Sequence, residues 1–424
     1  MNPDAKKTRL HGWHVQNSAN MAQFGQYDMP LWYPSGAKKE HLAVLTDAGM
    51  FDTSHMSVIT VEGSGARDLL QFCFTKNLAA CVGKKQQPLI PGKSVYGAFL
   101  NEKGEVIDDA IVFQIDESHY MVVVNAGMGG VVSTHLQDHV GSQKTTIVDL
   151  TDQVGKLDVQ GPRAARIVSR IIKNPEEVLI ELPFFSFKGH YNAALPVSEK
   201  VRLRDGTPFM LSRTGYTGEF GFELFVAPDK FVELWNRLLE AGQSFGMLAC
   251  GLAARDSLRA GAVLPLSHQD IGPWLFKNNP WPFALPYSAD SRGFTKDFLG
   301  AETLLNRTYN EFTYPFAGHD LRKVAAGDPA EVYTEGGSPI GSVLTCATDM
   351  AIGRVDGRIF SISSPNRPPE FKPRGLCCGF IKVNRPLNAG ETVVLKDNHR
   401  SVKVEIVKDI RPDRSARQPL ATFL

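Results

Sequence analysis

The stretch "VYGAFLNEKGEVIDDAIVFQIDESHYMVVVNAG", residues 95–127, constrains this chain more than any other. Three apolar runs are separated by a turn carrying Gly104 and a turn reading Asp-Glu-Ser-His. That pattern dictates an antiparallel meander rather than a helix. The middle run opens on two adjacent carboxylates, Asp108 and Asp109. Strands disfavour Asp, and a buried carboxylate is costly unless it is paired. Alternation puts Val106, Asp108, Ala110 and Val112 on one face and Ile107, Asp109, Ile111 and Phe113 on the other. The second face is the bulkier apolar one, so Asp109 is expected to be the buried carboxylate. Closing the hairpin with Ile115 opposite Tyr120 sets Asp109 opposite Ala126, with Asn125 next along the partner strand. Two readings stay open: a polar pair for a hydrogen-bonding ligand, or a turn Asp with a helix-capping Asn.

Outside the meander, helical and β periods mix without regular βαβ alternation, which favours an α+β class. Residues 36–49, 229–243 and 249–262 have helical periods, and 207–228 reads as strand, Gly-rich turn, strand. Residues 266–300 are irregular and rich in Pro and aromatics. From 338 onward short β runs alternate with turns, as in a separate all-β domain.

Two further charged sites stand out. Glu223 lies between Phe222 and Leu224, either as an edge-strand Glu facing water or as a ligand group. Arg255, Asp256 and Arg259 fit an ion-pair ladder on a helix surface. Other motifs are excluded by their chemistry. "PGKS" at 91–94 is no phosphate loop, because Gln87 replaces the first Gly and Pro88 and Pro91 remove backbone donors. Glycines 215, 218 and 221 lead into a strand, where no helix N-terminus waits for a pyrophosphate. The six cysteines lack a C-x-x-C spacing and read as buried, reduced thiols. His135 and His139 are i,i+4 on a helix without the Glu of a zincin, so a surface pair is expected and no metal site.

With 43% hydrophobic and 21% charged residues and a net charge of +1, the composition argues against a nucleic-acid-coating protein. No apolar run reaches the ~18 residues of a membrane span. The first twenty residues carry no apolar signal core, so a cytoplasmic protein with neither nucleic-acid nor membrane partners is expected.

The stretches "MAQFGQYDMPLWYPSGAKKEHLAVLTDAGMFDTSHM", "LNEKGEVIDDAIVF", "VVNAG", "LDVQGPRAARIV", "SRTGYTGEFGFELF", "GLAARDSLRAG", "DFLGAETL" and "GGSPIGSVLTCATD" follow one another in order. In these the chain resembles the aminomethyltransferase (T-protein) family of the glycine cleavage system and its tetrahydrofolate-dependent relatives. The resemblance implies a three-domain cloverleaf around a central folate funnel, with a C-terminal antiparallel β-barrel. The expected divisions are 1–60 plus 150–250 for a folate-binding unit and 61–149 for the meander unit. A connecting segment at 251–325 and the barrel at 326–424 complete them. It also implies that Asp109 is the catalytic carboxylate and Asn125 its neighbour in the pocket, with Asp108 facing away. Glu223 would grip the pterin, Tyr216 line the pocket, Arg255 contact the folate body or tail, and Met56 pack against the ligand. The implied reaction is aminomethyl transfer from a lipoylated carrier protein, giving methylene-tetrahydrofolate and ammonia. The alternative is a demethylase that moves a methyl group from a small N-, O- or S-methylated donor to tetrahydrofolate. Departures fall on the donor side: "LRAGA" where the family has Leu-Glu-Ala-Gly, "SHQDI" where it has Gly-Asn-Asp-Ile, and a replaced 278–294 stretch.

Overall fold

Strands Lys93–Leu100, Val106–Gln114 and His119–Val124 form the expected antiparallel meander in the computed structural model, which describes residues 4–142, 144–325 and 330–424. Its register differs by one residue from the expectation. Ala110 pairs with Val124 and Gln114 with Tyr120, so Asp109 falls opposite Asn125 rather than Ala126. The turn is the reason. The Asp116 carboxylate accepts the backbone N–H groups of Ser118 and His119 at 2.8 and 3.0 Å, and Ile115 closes the hairpin on the carbonyl of His119. Toward the other neighbour, Phe99 pairs with Asp108 but Leu100 with Val106, leaving Ile107 as a bulge. Bulges bend a strand and re-aim its side chains, and this one immediately precedes the two carboxylates.

Strands Ser57–Glu62 and Thr146–Asp149 complete a five-stranded antiparallel sheet. Helices Ala66–Cys73 and Gly129–Asp138 cover one face, burying Leu69, Leu70, Val132 and Leu136 against Ile59, Val112 and Val122. Across the other face, Phe113, Met121 and Val123 meet Phe187, Met210 and Phe225 of a second sheet. That sheet has six strands in the order Phe187–Lys188, Phe209–Ser212, Gly221–Val226, Gly155–Gln160, Gly49–Asp52, Leu248–Ala249. Helix Phe231–Gly242 covers its far face through Phe231, Leu234, Trp235 and Leu238, the i, i+3, i+4, i+7 stripe visible in the sequence. In the Gly-rich turn, a Cβ on Gly215 or Gly221 would come within 2.3 or 2.6 Å of the Gln160 side chain, and Gly218 has a left-handed φ of +77°. These glycines serve packing and chain reversal, not phosphate.

The α+β class and the C-terminal antiparallel barrel are as expected. The barrel closes through six strands, and one of them, Phe312–Ala317, precedes residue 326. The irregular segment after 266 is built in: Trp281, Ala284, Leu285 and Phe298 pack against Ala98 and Leu100 of the five-stranded sheet and Phe380 of the barrel. Among the described residues no helix is long and apolar enough to cross a membrane.

Buried charge ties these units together. Asp349, at the end of barrel strand Pro339–Asp349, accepts from His41 of helix Ala37–Thr46 at 3.1 Å and from Arg411 at 2.5 Å. Arg411 in turn donates to Glu219 at 3.1 Å and to the carbonyl of Thr217 in the Gly-rich turn. Asp349 and Arg411 are both fully buried. Removing one partner of such a pair strands the other charge in an apolar interior, so Asp349→Ala is expected to destabilise the protein by about 3–5 kcal/mol. Urea unfolding measures this, and a loss below about 1 kcal/mol would show that the clamp does not hold the units together.

Candidate active site

The two carboxylates converge on one amide. Asn125 Nδ2 donates to Asp109 Oδ1 at 2.6 Å and to Asp108 Oδ1 at 2.8 Å, and its backbone N–H reaches Asp108 Oδ2 at 2.8 Å. Asp108 therefore does not face away, as expected, but is fully buried, while Asp109 is 8% exposed. Asn125 is not a helix cap either, since the following helix is capped at Met128 without a side-chain bond. Asp109 Oδ2 accepts the Tyr96 hydroxyl at 2.7 Å, and Asp108 Oδ1 accepts Ser267 Oγ at 2.6 Å. Burial pushes Asp108 up to about 6 against the lowering effect of its donors. Burial, and then the adjacent Asp108 charge, push Asp109 up to about 7. A carboxyl poised near neutrality inside a site is suited to proton transfer.

A cavity of about 470 Å³ opens nearby, within the size range of small-molecule pockets. Its walls include Phe24, Leu31, His55, Tyr216, Leu252 and Arg255. Of the expected site residues, Tyr216 and Arg255 line it; Asp109, Met56, Asn125 and Glu223 do not. Asp109 nevertheless acts electrostatically on Tyr216, whose ionisation burial, first of all, pushes far up. The Arg255 guanidinium lies 4.9 Å from the Tyr216 ring centre and donates to Asp158 Oδ2 at 2.7 Å. Asp158 Oδ1 accepts Lys156 Nζ at 3.0 Å, and Lys156 reaches Glu223 Oε1 at 2.6 Å. Glu223 thus sits on a central strand, not an edge, with Thr214 donating to its other oxygen. Burial would raise Asp158, but Lys156 and Arg255 override it and hold the carboxyl at about 2. Met56 packs beside Ile111 and Phe113 between the sheets.

One departure, Arg259, finds its partner in the Asp of "SHQDI", a residue the family pattern shares. Arg259 and Asp270 are both buried and form an ion pair, and Thr345 of the barrel donates to Asp270 at 2.7 Å. Arg259 also pairs with Asp256 at 2.7 Å, but Arg259 is buried and Arg255 turns inward to Asp158, so the expected surface ladder does not form. Ser267, from the same "SHQD" stretch, is the residue that holds Asp108.

Four contributors escaped the sequence reading. Lys156 and Asp158 occur two apart in an apolar strand, a same-face charge pair that period-two reasoning could have found. Tyr96 and Ser267 had no local signal, because only tertiary pairing brings them to the carboxylates. In addition, His55 lines the cavity with its Nδ1 buried and without a hydrogen-bond partner among the described residues. Burial holds it down at about 4, so its ring is neutral at physiological pH.

The family model described as the GCVT N-terminal domain matches residues 10–275. The aminomethyltransferase of Symbiobacterium thermophilum is 33% identical over 351 residues, 81% of this chain and 86% of that protein. The aminomethyltransferase of Natranaerobius thermophilus is 29% identical over 409 residues, 95% of this chain and 97% of that one. The crystal structure of glycine cleavage system aminomethyltransferase T from Bartonella henselae superposes with a TM-score of 0.73 at 26% identity, covering 95% of this chain and 96% of that one. The GCVT match over residues 10–275 and aminomethyltransferases matched along most of their length make this chain a transferase that belongs to the aminomethyltransferase family.

Proposed function

We propose that this transferase takes an aminomethyl group from a lipoylated carrier protein and passes its carbon to tetrahydrofolate, giving methylene-tetrahydrofolate and releasing ammonia. The relatives favour this over the demethylase alternative. The observation that carries the reading is the buried carboxyl of Asp109, fixed on both oxygens by Asn125 and Tyr96, with burial pushing its titration up. We also place the protein in the cytoplasm, where its six free thiols stay reduced.

The residues present fit the folate. Phe24, Leu31, Tyr216 and Leu252 offer flat apolar walls for a ring system, and Arg255 and Gln269 offer polar contacts. Lys38 and Lys323, also in the wall, supply positive charge for a carboxylate tail. When bound, tetrahydrofolate supplies the ring amines that accept the one-carbon unit. The chain's part is charge and proton management. Asn125 fixes Asp109 Oδ1, while Oδ2 exchanges its hydrogen bond with Tyr96 for a proton from the reacting groups. In its ionised form Asp109 stabilises positive charge that develops beside it. Burial sets the poise of Asp109, and like-charge repulsion from Asp108 adds to it. Arg255 and Tyr216 would contact the folate, with Met56 packed behind the wall between the two sheets. Glu223, already paired with Lys156, anchors the pterin either directly or through the Lys156–Asp158–Arg255 chain.

Two outcomes test this. Supplied with tetrahydrofolate and a carrier whose lipoyl arm bears an aminomethyl group, the protein should release ammonia in step with methylene-tetrahydrofolate. No ammonia, with turnover of a small methylated compound instead, would replace the reading with the demethylase. The second outcome concerns pH. Both carboxyls titrate higher in the folded protein than an ordinary Asp, at about 6 and about 7. The folded protein therefore binds more protons than the unfolded chain, and these two groups cost it stability as pH rises from about 4 to about 7. Asp108→Asn removes the charge that raises Asp109, so the acid limb of the pH–rate profile should move to lower pH. An unmoved limb would show that Asp108 does not tune Asp109.

A further inference from the structure

Far from the cavity, Cys73 closes helix Ala66–Cys73, and His135 and His139 stand one turn apart at the end of helix Gly129–Asp138. The sequence reads the histidines as a surface pair; the fold brings them to a buried thiol 62 residues away from His135 in the chain. One ligand atom from each of the three residues lies within 4.8 Å of the others. Around one tetrahedral ion, bonds of about 2.0–2.3 Å set ligand atoms roughly 3.5 Å apart, so modest side-chain rotations would close the site.

The protonation pattern suits coordination. His139 Nδ1 is 2.7 Å from the carbonyl of His135, and a carbonyl only accepts, so Nδ1 carries the proton and Nε2 keeps its lone pair. A metal-bound imidazole is oriented in the same way, through its other N–H on a backbone carbonyl. His135 Nε2 is buried and has no hydrogen-bond partner among the described residues, which an apolar setting penalises unless something ligates it. The ring centres of the two histidines are 4.9 Å apart. Lys296 donates to the carbonyls of Gln71 and Phe74 on either side of Cys73, but burial outweighs its charge and pushes the thiol up to about 12, so the ion itself must displace the thiol proton.

We propose that Cys73, His135 and His139 bind a thiolate- and imidazole-preferring divalent ion, zinc above all, in a site of one thiolate and two imidazoles with its fourth position open to water. Binding forms one metal–sulfur and two metal–nitrogen bonds and releases the Cys73 thiol proton to solvent. The ion would staple the two helices that cover the five-stranded sheet, so its role is to stabilise that layer.

Cobalt(II) titration of the metal-free full chain tests this, because thiolate ligation gives a charge-transfer absorption band. The band should saturate at one equivalent, disappear in Cys73→Ser, persist in Cys346→Ser, and be displaced by zinc. Should Cys73→Ser fold poorly, His139→Ala, at a half-buried position, should weaken cobalt binding at least tenfold while keeping the native circular dichroism spectrum. Zinc should also raise the melting temperature of the wild type and not of His139→Ala. Absence of the band in the wild type, its survival in Cys73→Ser, or unchanged affinity in His139→Ala would overturn the site.

Discussion

The ammonium of Lys156 is buried between the carboxylates of Asp158 and Glu223, at 3.0 and 2.6 Å, and the floor of the site depends on that contact. An ion removed from water in this way is tolerated only when opposite charge and hydrogen bonds surround it. Here Arg255 supplies the second positive charge, so two cations face two anions across three elements: strand Gly155–Gln160, strand Gly221–Val226 and helix Leu252–Gly261. The balance fixes the helix against the sheet and turns Arg255 and Tyr216 toward the cavity. Loss of any one member would leave an unmatched charge in the interior behind Arg255.

The second constraint is the placement of like charges side by side. Asp108 and Asp109 are adjacent in a strand, and the Ile107 bulge and the tight Asp116 turn together aim both at Asn125. Burial of two adjacent carboxyls outweighs their hydrogen-bond donors, so the pair holds protons at unusually high pH. The fold thus stores electrostatic strain at this point of the interior. The "SHQDI" stretch holds that point from outside. Ser267 bonds Asp108, while Asp270, three residues further on, pairs with Arg259 and with barrel residue Thr345.

Much of this was legible in the chain. The meander, the amphipathic helix Phe231–Gly242 and the late β-rich region follow from period and turn chemistry alone. Asp109, Asn125 and Glu223 announced themselves because charged and amide side chains are rare in apolar strands. What local pattern could not give was register and convergence. The hairpin register lies one residue from the expected one because the Asp116 carboxylate organises the turn, and that difference brings Asn125 directly to Asp109. The burial of Asp108 depends on Ser267, far along the chain, and that of His135 on packing beside Cys73. Such contacts are set by tertiary packing and leave no trace in spacing.

The central claim is that Asp109 carries the chemistry while Tyr216, Arg255 and the charge cluster beneath them carry the binding. Single-turnover aminomethyl transfer and tetrahydrofolate affinity, measured together on Asp109→Asn, separate the two. Binding should stay within a few-fold of wild type while transfer slows about a hundred- to a thousandfold, the usual scale for losing one preorganised charge. Transfer at the wild-type rate, or a loss explained wholly by weaker binding, would contradict the account.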